Sequence, residues 1–306
     1  MPAPKGPAEG PPTLAARVRA QAGVSWSKAK ALCEQGRVSV DGERALDPAM
    51  RVSMEADIAI DAFAPKRRAG PLAEGAIVHF DRDVVVVDKP AGLLSVADDS
   101  GDQDTLDRHV RTMLRRLDRG APDAKLGVVH RLDKDTSGLM VFARNAAAQR
   151  ALAAAFRAHD IERAYHALAH GAVTAAKIES DLVLDRGDGL RGSWGVFRRA
   201  KGPAPREARH AVTYVKPLAL LRGASLVECR LETGRQHQIR IHLAEAGHPL
   251  LGERVYNRDY AGPVIEAPRA MLHARRLGFA HPRGGRPMSF EREPPEDFRA
   301  ALAARD

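Results

Sequence analysis

The side chains best placed to do chemistry lie together in one stretch, His130-Arg131-Leu132-Asp133-Lys134-Asp135-Thr136-Ser137-Gly138. It offers two carboxylates, Asp133 and Asp135, with Arg131 just before the first. A cation beside a carboxylate keeps it ionised. That suits a nucleophile or an electrostatic partner and does not suit a general acid. Arg235 stands in a second polar stretch, Arg235-Gln236-His237-Gln238, just after a strand-to-helix turn. The other reading of the first stretch is a solvated turn whose ion pair has little energetic weight. Those residues alone leave both readings open.

Several familiar chemistries are excluded by order and spacing. His-Arg-Leu-Asp departs from the His-Arg-Asp order of a kinase catalytic loop, and no Gly-rich phosphate loop or Asp-Phe-Gly accompanies it. No phosphate loop ending in Gly-Lys-Ser/Thr occurs. His237 and His242 lack the i, i+4 step that aligns two ligands on a helix, so no metal site is expected. Ser137-Gly138 lacks the nucleophile-elbow pattern. A glycosidase needs a second carboxyl acting as an acid, and Asp135, the one nearby candidate, reads as structural.

The elements around these residues must position them. Leu126 to Val129 and Leu139 to Phe142 are short apolar runs that read as buried strands, so the first stretch is a loop held between rigid supports. Asn145 is expected to cap a helix over 146–157, and Asp104 one through 105–117. Ile161 to Ala169 alternates as a strand, with Arg163 and Tyr165 on one face. Ala224 to Leu231 is a further strand. The pattern then predicts a helix from Arg235 that stops at Gly247, with Arg235, Gln238, Ile239 and His242 near one face. Strands near 77–80, 84–87, 272–279 and 287–290 and a closing helix over 296–304 complete the set. Residues 185–209 form a long basic segment, either functional or disordered.

Ahead of this lies a smaller unit. Residues 1–13 are expected as a disordered tail, 14–61 as a small domain, 62–75 as a linker containing Lys66-Arg67-Arg68, and 76–306 as the large domain. Two short helices, the second capped by Ser25 or Ser27, precede a strand over 37–40 and an Asp41-Gly42 turn. The chain carries 48 Lys and Arg against 39 Asp and Glu, a net charge of +9, which points to an anionic partner such as nucleic acid. Cys33 and Cys229 are too far apart for a disulfide framework or zinc spacing and read as buried apolar residues. With no signal peptide and no apolar run of membrane-spanning length, the expected location is the cytoplasm.

The blocks, in order, resemble the RluA-type family of RNA pseudouridine synthases. They are Asp88-Lys89-Pro90-Ala91-Gly92; His130-Arg131-Leu132-Asp133 with Thr136-Ser137-Gly138-Leu139; Arg163-Ala164-Tyr165; Thr233 to Arg240 with His242-Leu243 and Gly247-His248-Pro249-Leu250; and Leu272-His273-Ala274 with His281-Pro282. The N-terminal unit resembles the small RNA-binding domain of a ribosomal small-subunit protein through Gln35-Gly36-Arg37-Val38-Ser39-Val40-Asp41-Gly42.

The resemblance implies an α+β fold with a central mixed, mostly antiparallel sheet, flanking helices and a basic catalytic cleft, plus a small N-terminal α+β RNA-binding domain. It implies conversion of uridine in RNA to pseudouridine with no cofactor and no metal. The expected substrate is large-subunit ribosomal RNA, with tRNA second, and the expected state is a monomer. By resemblance Asp133 is the nucleophile, Tyr165 stacks on the flipped uracil, and Arg235 pairs with the aspartate. Arg131, His130, Arg163 and Ile239 would contact the substrate. Arg17, Arg19, Lys28, Lys30 and Arg37 would bind RNA from the small domain. The alternative is an RNA-binding or ribosome-assembly factor that keeps the fold without catalysis. The chain departs from the family pattern at Arg163, where Lys is usual, and at Gln236 and Tyr256-Asn257.

Overall fold

The computed structural model describes residues 12–45, 48, 50–61, 72–97, 104–118, 126–187, 189–196 and 202–306. Most of the expected tail, the linker basic triplet and part of the 185–209 segment lie outside these residues. The chain divides into two compact units, 1–70 with 97–103 and 71–96 with 104–306.

The first unit contains α1 (Leu14–Ala22), α2 (Trp26–Glu34), β1 (Val38–Val40), β2 (Glu43–Arg44) and β3 (Ile58–Ile60). Side-chain oxygens start both helices, Thr13 accepting from Ala16 N and Ser25 from Lys28 N. Gly23 ends α1 in the left-handed region. Asp41 and Gly42 both have positive φ, 51° and 82°, as a tight hairpin turn between β1 and β2 requires. The helices bury Leu14, Val18, Leu32 and Cys33 against Val38, Val52 and Ile58.

The second unit runs β4 (Ile77–Phe80), β5 (Val84–Lys89), α3 (Leu106–Leu117), β6 (Gly127–Val128), β7 (Ser137–Ala143), α4 (Ala146–Ala158) and β8 (Glu162–His170). It continues with β9 (Ala176–Val183), β10 (Gly192–Ser193), β11 (Arg209–Leu221), β12 (Ala224–Leu231), α5 (Gln238–Glu245), β13 (Leu272–Ala280), β14 (Pro287–Glu291) and α6 (Glu296–Ala303). The strands form one 11-stranded sheet in the order β10-β9-β11-β12-β8-β13-β7-β5-β4, with β14 on β13 and β6 on β7. This is the expected α+β architecture with a mixed, mostly antiparallel sheet. Among the described strands, β7 and β13 make the parallel pair, through His273 opposite Ser137 and Ala274 opposite Gly138.

That pairing explains Gly138. Its φ is 110°, and a Cβ there would lie 2.3 Å from the Ala274 carbonyl oxygen. The continuous apolar runs behave as buried strands should: β7 is buried throughout, and Val84 to Val87 of β5 are fully buried. Helix α4 covers this part of the sheet with Ala148 and Leu152, and its cap is the expected Asn145.

Two helix starts differ from expectation. Thr105, not Asp104, precedes α3, and Asp104 Oδ1 instead meets His109 Nε2 at 2.6 Å. Helix α5 begins at Gln238, not Arg235, because His237 takes the left-handed conformation with φ 60° and interrupts the helical path.

Candidate active site

The loop from His130 to Thr136 is strapped down from three sides. Lys89, at the end of β5, is fully buried and donates to the carbonyls of Lys134 at 2.7 Å, Thr136 at 2.8 Å and Pro90 at 3.0 Å. Three ammonium N–H groups thus meet three acceptors. Burial pulls this amine down to about 7, while the carboxylates of Asp135 and Asp133 pull the other way. Ser95 grips Leu132, its hydroxyl donating to the carbonyl at 2.7 Å and accepting from the backbone N–H at 3.1 Å. Arg269 donates to the Asp135 carbonyl at 2.9 Å and is held in turn by Asp297.

These straps present Asp133 to a cleft of about 560 Å³. Tyr165 reaches the same cleft from β8, and Ile239 from α5. The sheet order brings them together: β13 separates β7, which follows the loop, from β8. Arg131, Arg157, Arg163, Arg235 and Arg240 line the cleft, and Asp133 is its one acidic residue among those described. A cavity so charged favours a polyanion and sets one carboxylate among its cations.

The arginine on Asp133 is Arg240. Its Nη1 stands 3.4 Å from Asp133 Oδ2, while Nε and Nη2 hold Glu253 in a two-pronged pair at 2.7 and 2.8 Å. Burial works against the Arg240 charge, yet the buried Glu253 and then Asp133 hold it above the usual range. Arg235 does not make the expected pair. It precedes α5, is exposed, and its Nε donates to the His210 carbonyl at 2.9 Å. The physical reason is the turn at residues 234–237. Gln238 folds back to accept from Thr233 Oγ1 and Arg235 N, which fixes the Arg235 backbone away from the helix face.

The other side of Asp133 faces an imidazole. His237 Nε2 is 3.9 Å from Oδ1, and its Nδ1 meets the Tyr256 hydroxyl at 2.7 Å. Burial lowers the His237 basicity against the pull of Asp133. Arg240, Glu253, His237, Tyr256 and Lys89 had no assigned role in the sequence reading. The sequence signals for them are that Lys89, His237 and Arg240 stand inside the motif blocks and that Tyr256 stands in the Tyr256-Asn257 pair compared with the family pattern.

The remaining expected residues divide. Tyr165 is buried, and burial raises its phenol, so it remains a neutral ring. Arg163 is buried, lies 5.5 Å over the Phe156 ring, and reaches the carbonyl of Glu232 at 3.2 Å. Gly234 makes room for it, since a Cβ there would stand 2.4 Å from Arg163 Nη1. His130 is spent on structure: Nε2 accepts from Val141 N at 3.1 Å and the ring stacks on Phe156. Burial, then Arg163, drives it down to about 3, so it is a neutral acceptor. Arg131 is exposed along the cleft. Cys229 is buried and its thiol is pushed up to about 12 by burial, so it is inert, and Cys33 is buried as well.

In the first unit, Arg17 is committed to the carbonyls of Ser53 and Ala56 rather than turned outward. Arg19, Lys28 and Lys30 are exposed and Arg37 is half-buried. No described helix is long and apolar enough to cross a membrane.

Comparison with known proteins places this geometry. The family model described as RNA pseudouridylate synthase matches residues 83–245, and the S4 domain matches residues 18–58. A ribosomal large subunit pseudouridine synthase D from Zymomonas mobilis is 34% identical over 287 residues, covering 90% of this chain and 87% of that protein. One of the same name from Pseudomonas aeruginosa is 34% identical, covering 90% and 85%. The solved human RNA pseudouridylate synthase domain containing 4 shares the fold, with a TM-score of 0.60 and 24% identity over 74% of this chain and 92% of that one. With the matched family region carrying Asp133, Tyr165 and Arg240 alike, this chain belongs to the RNA pseudouridylate synthase family.

Proposed function

We propose that the chain converts uridine to pseudouridine in large-subunit ribosomal RNA, with Asp133 as the nucleophile. The observation that carries this is the clamped carboxylate: among the described residues, Asp133 is the one acidic residue of an arginine-lined cleft, and it sits on the Arg240–Glu253 pair. The ribosomal substrate follows from the names of the relatives that match most of this chain.

The reaction breaks N1–C1′, turns the uracil and joins C5 to C1′. C5 loses its proton and N1 gains one, so the conversion balances within one nucleotide. Asp133 takes up the reacting fragment while the glycosidic bond is open, and Arg240 balances its charge. The base must leave its stack to reach the cleft. Tyr165 offers a neutral ring to receive it, and Ile239 packs beside it on the apolar side. Arg131, Arg163 and Arg235 line the path of the extruded nucleotide. Residues 14–61 act as a separate RNA-binding domain, 62–75 as its linker, and 76–306 as the catalytic domain.

The test is tritium release from RNA carrying 5-tritiated uridine. Release from ribosomal RNA by the wild type and not by Asp133→Asn supports the reading. Release from tRNA alone moves the substrate, and no release from any RNA with binding retained sinks catalysis in favour of a binding or assembly role.

A further inference from the structure

The first unit exposes a tryptophan between cations. Trp26 opens α2, directly after the Ser25 cap, and is 43% exposed. It takes no part in the small core, which α2 serves with Ala29, Leu32 and Cys33. Arg19 Cζ, from α1, lies over the indole ring at 6.0 Å from its centroid, and Lys30 Nζ lies over it at 5.9 Å. Neither cation has an ion pair among the described residues. Other polar side chains of α1 are spent on the unit's own backbone: Arg17 on Ser53 and Ala56, and Gln21 on Ile58 at 2.9 Å. Arg19 and Lys30 are instead gathered at one aromatic ring.

A lone exposed apolar residue is ordinary. An indole with a cation from each of two helices over its ring is different, because its parts match those of a nucleotide. A base that stacks on the ring takes the place of these flexible side chains, and the displaced cations meet the phosphates on either side of it. A base inside a duplex has both faces covered, so the fitting ligand is an unpaired nucleotide. Stacking is indifferent to base identity, since every base has a π-face.

We propose that Trp26, with Arg19 and Lys30, forms a stacking site for one unpaired nucleobase of the RNA substrate. This rests on the RNA reading given above and adds a second point of contact with the nucleic acid outside the catalytic cleft.

The experiment uses the full chain carrying Trp194→Phe, which leaves Trp26 as its one tryptophan, since the sequence has two. Single-stranded oligouridylate should quench Trp26 fluorescence, and an RNA duplex of equal charge should not. In parallel, Trp26→Ala and Trp26→Leu should each weaken binding of a ribosomal RNA fragment by about tenfold, with the loss falling on KM, while Trp26→Phe binds nearly as the wild type. Equal quenching by duplex and single strand, or unaltered affinity in Trp26→Ala, overturns the stacking site. Wild-type tritium release on the same fragment is the control: if it persists, failure belongs to the stacking site alone, and if it is absent, the catalytic reading fails instead.

Discussion

Arg240 Nη1 approaches Asp133 Oδ2 at 3.4 Å while the rest of its guanidinium is locked onto Glu253. Glu253 is in turn fixed by the backbone N–H groups of Arg254 at 3.1 Å and Val255 at 2.9 Å. The carboxylate in the cleft is therefore aimed by a second, buried carboxylate acting through one planar fork. Lys in place of Arg240 keeps the charge and loses the fork. Arg240→Lys and Glu253→Gln should each lower kcat by at least about tenfold, whereas Arg235→Ala should act on KM. Single-turnover rates with KM measured alongside separate the two; a kcat collapse in Arg235→Ala with normal Arg240→Lys would reverse the assignment.

Lys89 bears on both stability and rate. Lys89→Met leaves the carbonyls of Pro90, Lys134 and Thr136 without their donor. The expected cost is about 3 kcal/mol, from unsatisfied buried acceptors. Denaturant unfolding measures it. Turnover should fall further than stability explains, because the loop bearing Asp133 loosens.

Acid should weaken the fold through its buried imidazoles. Burial pushes His130 down to about 3, and His242 and His273 to about 4, from the ordinary imidazole value of 6.5. Below pH 6.5 the unfolded chain takes up protons that the folded chain refuses. The stability these groups contribute at neutral pH is thus lost as pH falls toward 4 and beyond. Melting temperature followed from pH 7.5 to 4.5 should drop, and His242→Gln should flatten that slope; a level profile in the wild type would contradict the neutral state of all three.

Gly138→Ala should fail to give a working enzyme. Its Cβ would meet the Ala274 carbonyl oxygen at 2.3 Å, and neither backbone can yield without parting β7 from β13. Ala at Gly75, where nothing lies within 4 Å of the added Cβ although φ is also positive, is the control for backbone strain alone. Soluble yield and melting temperature should fall much further for Gly138→Ala than for Gly75→Ala.

RNA binding should weaken steeply with salt. Each phosphate neutralised by Lys or Arg releases counterions, and the cleft holds five arginines. Affinity measured between low and moderate salt checks this, and a flat response would remove the cleft arginines from the interface.

Much of the site was legible before any fold was known. Local pattern placed Asp133 in a polar stretch between apolar runs and Tyr165 in an alternating strand, and their roles came only with the family resemblance of the blocks around them. The arginine that meets Asp133 was not legible. Arg235 and Arg240 share one motif block, and the resemblance assigned the pairing to Arg235. His237 decides the matter by adopting a left-handed backbone, which no composition or period announces for a non-glycine residue. Lys89 was hidden for a different reason. Lysine is rarely fully buried, and two of its three acceptors, the carbonyls of Lys134 and Thr136, come from a segment distant in the chain. The strand β9 escaped because its largely exposed, charge-rich pattern lacks a continuous apolar signature, and in β11 the internal Pro217 argues against a strand.

The two halves of the large sheet meet where β7 touches β13 over two residue pairs. On one side of that seam hangs the loop with Asp133; on the other runs β8 with Tyr165. Side chains stitch it, Ser137 Oγ meeting His273 Nδ1 at 3.0 Å and Arg269 at 3.3 Å. A zip this short can open while both flanking halves stay folded, so amide exchange at Gly138 and Ala274 should report a sub-global opening cheaper than full unfolding. Active-site assembly is then its own equilibrium, and warming or mild denaturant should silence turnover before the melting transition begins.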